Sequence, residues 1–248
     1  MKIIKWEQLP VEMQTEEVRK YYDILEKQKV ALFFKRAFDL IASVIALILL
    51  SPVYLILAIL IKIDSPGPVF YRQERVTQYG KRFRIHKFRT MVQNADKGSQ
   101  VTVNNDSRIT RIGKVIRDCR LDEIAQLIDV IQGTVTLVGV RPESPKFVAA
   151  YTDEMMATLL LPAGVTSLAS IYYKDEAKLL DGVDDPDRVY IEKILPEKMY
   201  YNLKELEQFS FWGDIKVMVM TVLAVLGKEY KEEIFVKSEE DICEEATV

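Results

Sequence analysis

Asp122 and Glu123 are adjacent carboxylates in a stretch rich in cations: Lys114, Arg117 and Arg120 precede them, and the sequence turns apolar immediately afterwards. If a helix begins near Leu121, both acids fall in its first turn, where the positive end of the dipole and the unpaired N–H groups favour anions. A carboxylate held ionised there can attack phosphorus as a nucleophile or hold Mg²⁺ through a hard oxygen, while arginines offset charge on a phosphoryl group. An Asp-Glu pair is also an ordinary helix cap, so the pair alone leaves both readings open. His86 is the only histidine, which leaves no second histidine for a metal pair and no triad, and a packing or surface role is expected of it. The sequence has no P-loop, GxGxxG, GxSxG or HExxH spacing, so those common enzyme classes gain no support.

The totals narrow the setting. The 248 residues are 49% hydrophobic, enough for one large domain or two small ones. A net charge of -3 gives no general reason to expect nucleic-acid binding, which depends on neutralising many phosphates at once. Cys119 and Cys243 fit no metal-ligand spacing, and a reducing, cytoplasmic setting is the simplest reading. The N-terminus lacks the apolar core and cleavage site of a secretory signal.

The elements that must position the acids begin with a membrane segment. From Leu40 to Ile61, 22 residues carry no formal charge, about the length that crosses a hydrocarbon core of roughly 30 Å. Ser51 and Pro52 interrupt its centre. Proline lacks an N–H and displaces a carbonyl, so a bend is expected, with the Ser51 hydroxyl available to satisfy the freed backbone. A kinked crossing and a re-entrant hairpin are both open. Lys35 and Arg36 before the segment and Lys62, Arg72 and Arg75 after it put positive charge on both sides, which does not favour a crossing.

After it, Asp64 to Tyr71 reads as a turn entering a strand, and Arg72 to Arg89 as a charged strand pair turning at Tyr79-Gly80. That pair holds seven Lys or Arg against one acid, Glu74, a patch suited to lipid headgroups, to substrate phosphates or to plain solvation. Asn104 to Thr110 reads as a loop, and Ile112 to Ile131 as two helical pieces ending at Gly133. Val135 to Val140 reads as a strand, Arg141-Pro142-Glu143 as a loop, and Glu143 to Leu161 as a helix ended by Pro162-Ala163-Gly164. Further helix is expected from Glu192 to Leu226. Its apolar run Val217 to Leu226 is too short to span and suits packing or interfacial docking. From Lys228 eight acids outnumber three lysines, and a mobile tail is expected.

Taken in order, Lys35-Arg36-Ala37-Phe38-Asp39-Leu40, Ser51-Pro52, Lys87-Phe88-Arg89-Thr90-Met91, Leu121-Asp122-Glu123 with Gln126-Leu127, and Val138-Gly139 followed by Arg141-Pro142 resemble the bacterial sugar-transferase family over about residues 31–227. Its members are monotopic phosphoglycosyl transferases that initiate glycan assembly. The resemblance implies an α+β, mostly helical fold: a polar extension over 1–30, a re-entrant membrane helix over 31–63 bent at Ser51-Pro52, a catalytic region with a small β-hairpin and interfacial helices over 64–227, and an acidic tail over 228–248. It places the catalytic region on the cytoplasmic face of the bacterial inner membrane.

It also implies a two-step reaction. Asp122 attacks the β-phosphorus of a UDP-sugar and releases UMP, and polyprenyl phosphate, typically undecaprenyl phosphate, then takes the phosphosugar. Glu123 completes the dyad, Asp122 helps to hold Mg²⁺, and Arg117, Arg141, Lys87 and Arg89 are the implied phosphate-binding cations. Phospholipid is the implied surface, nucleic acid is not a partner, and a homo-oligomer is compatible with the pattern.

The sequence departs from the family in places. Gly139-Val140 stands where Gly-Pro is common, Thr134 where an acid often follows the glycine, and Leu161 begins the stretch that usually opens with Arg or Lys. The four membrane helices that precede this region in larger relatives are not expected in these 248 residues. Two rivals remain: an inactive membrane-bound interaction protein of the same fold, for which those altered loops are the motive, and a transferase working by direct displacement.

Overall fold

A computed structural model describes residues 1–93, 95, 107–174, 176–180 and 183–230. The first helix, α1 (Glu16–Lys27), is opened by the Thr15 hydroxyl accepting from the Val18 N–H, a cap that satisfies one of the orphan donors of a helix start. Val18, Tyr21, Tyr22 and Leu25 recur at helical spacing and are buried. They join Met13, Leu159, Leu160, Leu161 and Leu206 in one core cluster. Residues 1–30, expected as a polar extension, are thus packed into the fold: the polar positions form the outer face of an amphipathic helix.

Helix α2 (Lys29–Asp64) contains the apolar segment and carries Pro52 inside it. Among the described residues it is the one helix long and apolar enough to cross a membrane. The Ser51 hydroxyl donates to the Ile48 carbonyl at 2.8 Å, the acceptor that an N–H at position 52 would otherwise serve. The expected repair is therefore in place. Ile48 is 67% and Leu49 72% exposed beside it, apolar surface of a kind that water does not tolerate in extended patches.

Both limbs of α2 are anchored near the same short stretch. In the first limb, Arg36 donates to the carbonyls of Val130 (2.7 Å) and Ile131 (3.2 Å), and the buried Asp39 accepts from Thr136. Buried Lys35 donates to Val138 O at 2.8 Å and pairs with Asp214 at 2.5 Å. In the second limb, the Tyr54 hydroxyl donates to Ile124 O, Leu57 and Ile61 pack with Phe88, Ile116 and Ala125, and Asp64 accepts from Ile112 N at 2.9 Å.

Strands β1 (Phe70–Val76) and β2 (Arg82–Phe88) form the expected antiparallel hairpin, turning through Tyr79 and Gly80 at φ 58° and 70°. Helix α3 (Arg111–Asp118) is capped by the Thr110 hydroxyl. A 3₁₀ turn, Glu123–Gln126, leads into α4 (Leu127–Gln132), so the two expected helical pieces are present. Next come β3 (Val135–Val138), α5 (Pro145–Val148), a 3₁₀ turn Met155–Leu160 and β4 (Ala163–Thr166), which pairs parallel with β3. The chain continues through α6 (Leu168–Tyr172), α7 (Glu176–Leu179), α8 (Pro186–Val189), a π turn Tyr190–Ile194, α9 (Leu195–Glu207) and α10 (Phe211–Val225). The result is mostly helical with small sheets.

Two expectations need correction. Glu143 to Leu161 is not one helix: α5 stops at Val148, and the Thr152 hydroxyl accepts from Met155 N to start a separate turn, the local bonding by which threonine competes with a helix. Ala163-Gly164 does not end a helix but lies within β4. A Cβ on Gly164 would meet the Gly139 carbonyl oxygen at 2.1 Å, so the glycine is what lets the strands close. The loop expected at 104–110 falls partly, and the acidic tail largely, outside the described residues. On α10 Val217 is buried while Val222, Val225 and Leu226 are exposed, in keeping with a helix that packs on one side.

Candidate active site

Asp122 is placed by the end of α3. Arg120 has φ 53°, and the N–H groups of Arg120 and Leu121 return to the carbonyls of Arg117 and Ile116, the paired bonds of a Schellman stop with arginine where glycine is usual. A non-glycine residue there carries strain of about 1 kcal/mol. The turn reverses the chain so that Asp122 O accepts from Phe88 N at 3.0 Å, fastening the acids to the end of β2.

Asp122 flanks the 3₁₀ turn instead of sitting in the first turn of an α-helix, and its side chain makes no cap. The expected helix-dipole support is therefore small, because the following helical pieces are short. No described residue donates a hydrogen bond to its carboxylate. Burial pushes its pKa up; Lys87, Arg117 and Arg141 pull it down, and the neighbouring Glu123 pushes it up again.

Glu123 is held differently. Arg141 donates to both its oxygens, at 3.2 Å to Oε2 and closer to Oε1, and Lys87 donates to Oε1 at 3.1 Å. Burial alone would raise its pKa, but Arg141 and Lys87 outweigh that and hold it far below the usual carboxylate range. Lys87 is pushed down by burial and supported by Glu123. The two acids thus have separate environments, one an ionised anchor for cations and the other a more basic carboxylate with unengaged oxygens.

The remaining expected residues divide. Arg117 donates to the Thr90 hydroxyl at 2.8 Å and its charge reaches Asp122. Arg89 is elsewhere: buried, it donates to the carbonyls of Ser65, Pro66 and Ile61 and so satisfies the C-terminal end of α2. Ser51 and Pro52 lie on the exposed middle of α2, away from the acids. His86 is buried between Arg72 (2.7 Å) and Asp129 (2.7 Å), a packing role as expected. Its Nε2 accepts from Arg72, which leaves Nδ1 to donate to Asp129.

Three residues named in the sequence motifs and flanks were given no site role there. Arg75, Gln126 and Pro142 line a cleft with Ile85, Lys87 and Arg141. Strand alternation was the available signal, since Tyr71 pairs with Lys87 and Arg75 with Phe83, putting Arg75 and Lys87 on one face. Glu143 holds the Arg141 loop from behind: its carboxylate accepts from Tyr190 at 2.6 Å and Lys198 at 3.4 Å, and its carbonyl accepts from Val76 N. Val140 O accepts from Gly164 N, and Gly139 N donates to Thr166 O, so the sheet fixes the loop's start although Val140 replaces the common proline.

Mg²⁺ suits this donor set in a limited way. Glu123 is fully engaged, and no cluster of three or more ligating side chains occurs among the described residues. The free Asp122 oxygens match an ion that is usually held by one or two carboxylates together with substrate phosphates.

Residues 30–228 match the bacterial sugar transferase family. The chain belongs to that family. It is 37% identical over 198 residues to the UDP-N-acetylgalactosamine-undecaprenyl-phosphate N-acetylgalactosaminephosphotransferase of Aeromonas hydrophila, covering 78% of this chain and 44% of that protein. It is 32% identical over 193 residues to the UDP-glucose:undecaprenyl-phosphate glucose-1-phosphate transferase of Escherichia coli K12, covering 76% and 39%. A transferase of the same name from Caulobacter vibrioides is 30% identical over 77% of this chain and 69% of its own length. The match spans about two fifths of the length of the first two relatives.

Proposed function

We propose that this member of the bacterial sugar transferase family is a phosphoglycosyl transferase that moves a sugar-1-phosphate from a UDP-sugar to polyprenyl phosphate, with undecaprenyl phosphate the typical acceptor. The observation that carries the reading is Asp122: a partly buried carboxylate with no hydrogen-bond donor among the described residues, a raised pKa and three cations acting on it. An Asp122 oxygen attacks the β-phosphorus, the bond from that phosphorus to the UMP oxygen breaks, and UMP leaves. The polyprenyl phosphate oxygen then attacks the same phosphorus, the aspartyl bond breaks, and the Asp122 carboxylate is restored. Arg141 and Lys87, oriented by Glu123, and Arg117 lie where charge builds on the phosphoryl oxygens, which is the main demand of phosphoryl transfer. Mg²⁺, held by Asp122 with donor phosphate oxygens, would supply further charge neutralisation.

The reading includes a re-entrant α2 on the cytoplasmic face of the inner membrane. Its support is that Arg36 and Tyr54, on opposite limbs, both bond within residues 124–131, while the segment between them exposes apolar side chains. The relatives are named for N-acetylgalactosamine, glucose and galactose, so the proposal is the shared transfer and not one sugar. UMP release from a panel of UDP-sugars, with Mg²⁺ and polyprenyl phosphate, tests it. At least one donor is expected to turn over, with a loss of 10³-fold or more in Asp122→Asn, a magnitude typical of removing a nucleophile. No turnover with any donor would favour the inactive rival.

A further inference from the structure

We propose that Arg75 binds the diphosphate of the nucleotide donor, as a third cation beside Lys87 and Arg141. The inference rests on the transferase reading and adds a residue to its site. Arg75 shares the hairpin face of Lys87 and lines the same cleft as Lys87 and Arg141. The cleft encloses about 10 Å³, room for one water-sized group such as a single phosphoryl oxygen.

What singles Arg75 out is the lack of an anion. Its guanidinium donates to Gln73 Oε1 at 2.7 Å and to Pro142 O at 3.4 Å, both neutral, and among the described residues no carboxylate lies within ion-pair distance of it. Glu123 is taken by Arg141 and Lys87. Glu143, whose charge does reach Arg75, is committed to Lys198 and Tyr190. A partly buried guanidinium left with neutral acceptors has donors ready for an anion that completes them. Three cations, Arg75, Lys87 and Arg141, line the cleft, and the one carboxylate paired with them among the described residues, Glu123, is shared between Lys87 and Arg141. A nucleotide diphosphate sugar brings about two negative charges, the kind of ligand such a cationic cleft attracts.

The test uses the full chain in detergent, with Arg75→Gln and Arg75→Lys. UDP binding is measured by calorimetry, and KM and kcat with any UDP-sugar that the wild type turns over. Arg75→Gln is expected to weaken UDP binding tenfold or more and to raise KM in parallel, with a smaller change in kcat. Arg75→Lys, which keeps the charge but loses the fork, is expected to recover part of the affinity. Loss of kcat with UDP affinity unchanged in both variants would overturn the inference and leave only a structural role through Pro142. If Arg75→Gln does not fold, unchanged UDP affinity in Arg75→Lys is the overturning result. A wild-type chain that binds UDP but releases no UMP would end the transferase reading and leave Arg75 standing as an anion site. A wild type that does not bind UDP would overturn the inference itself.

Discussion

At the scale of single residues, Asp122 and Glu123 are neighbours in opposed electrostatic settings. Glu123 is lowered by its cations and stays ionised, while Asp122 is raised, first by burial. Attack on phosphorus requires the ionised form, so activity must fall as pH drops through the raised Asp122 pKa, at higher pH than an ordinary aspartate would give. Lys87 is the largest influence pulling that pKa down. Lys87→Met is therefore expected to move the acid limb of kcat/KM upward by about one pH unit; a pH–rate profile checks this, and a limb that stays put or moves down contradicts it. The clustering of the acids with Lys87 and Arg141 was legible because their motifs come in order along the chain, and Arg117 stood in the cationic string just before the acids. Arg89 was not, because its partners are set by where the Ser65-Pro66 turn folds, not by its cationic neighbours. Arg75 was hidden in the same charge run, where only strand alternation separates the two faces of the hairpin.

At the scale of elements, the parallel pair β3–β4 carries Arg141. Gly139 and Gly164 face each other at backbone contact, and a Cβ on Gly164 would strike Gly139 backbone atoms at 2.1 to 2.4 Å. Gly164→Ala must then push the strands apart and displace the start of the Arg141 loop. A stability loss of about 1–3 kcal/mol, the usual cost of overpacking, is expected in denaturant titration, with a larger proportional loss of kcat/KM. Wild-type stability and activity would show that the loop is not held by this contact. The hairpin was readable from Tyr79-Gly80 between strand-like runs. Strand β4 was not: Pro162-Ala163-Gly164 punctuates like a helix end, and only pairing with a strand some 25 residues earlier makes Ala163–Thr166 extended.

At the scale of the whole molecule, the N-terminal 27 residues explain one departure from the family. Leu161, standing where a cation is usual, is buried in the core built with α1, so that position serves packing here. The sequence did not reveal this, since burial of α1 depends on Leu159 to Leu161 and Leu206, which lie far along the chain. The long apolar helix, by contrast, was legible from 22 uncharged residues, as was the Ser51 bond that compensates Pro52. Its topology is open to direct measurement. Single cysteines placed at exposed Lys29 and Lys62 are expected to react with an impermeant thiol reagent from the same side of sealed vesicles, in a Cys119→Ser, Cys243→Ser background; labelling from opposite sides would make α2 a crossing helix.

The proposed reaction turns on a covalent step at Asp122. The most direct measurement is mass spectrometry of the purified chain mixed with a turned-over UDP-sugar and Mg²⁺, without polyprenyl phosphate and quenched rapidly. A mass gain of one sugar phosphate is expected, mapped to the peptide containing Asp122, absent in Asp122→Asn and discharged by added polyprenyl phosphate. Turnover with no such adduct at any quench time, and UMP release that strictly requires the acceptor, would contradict it and favour direct displacement.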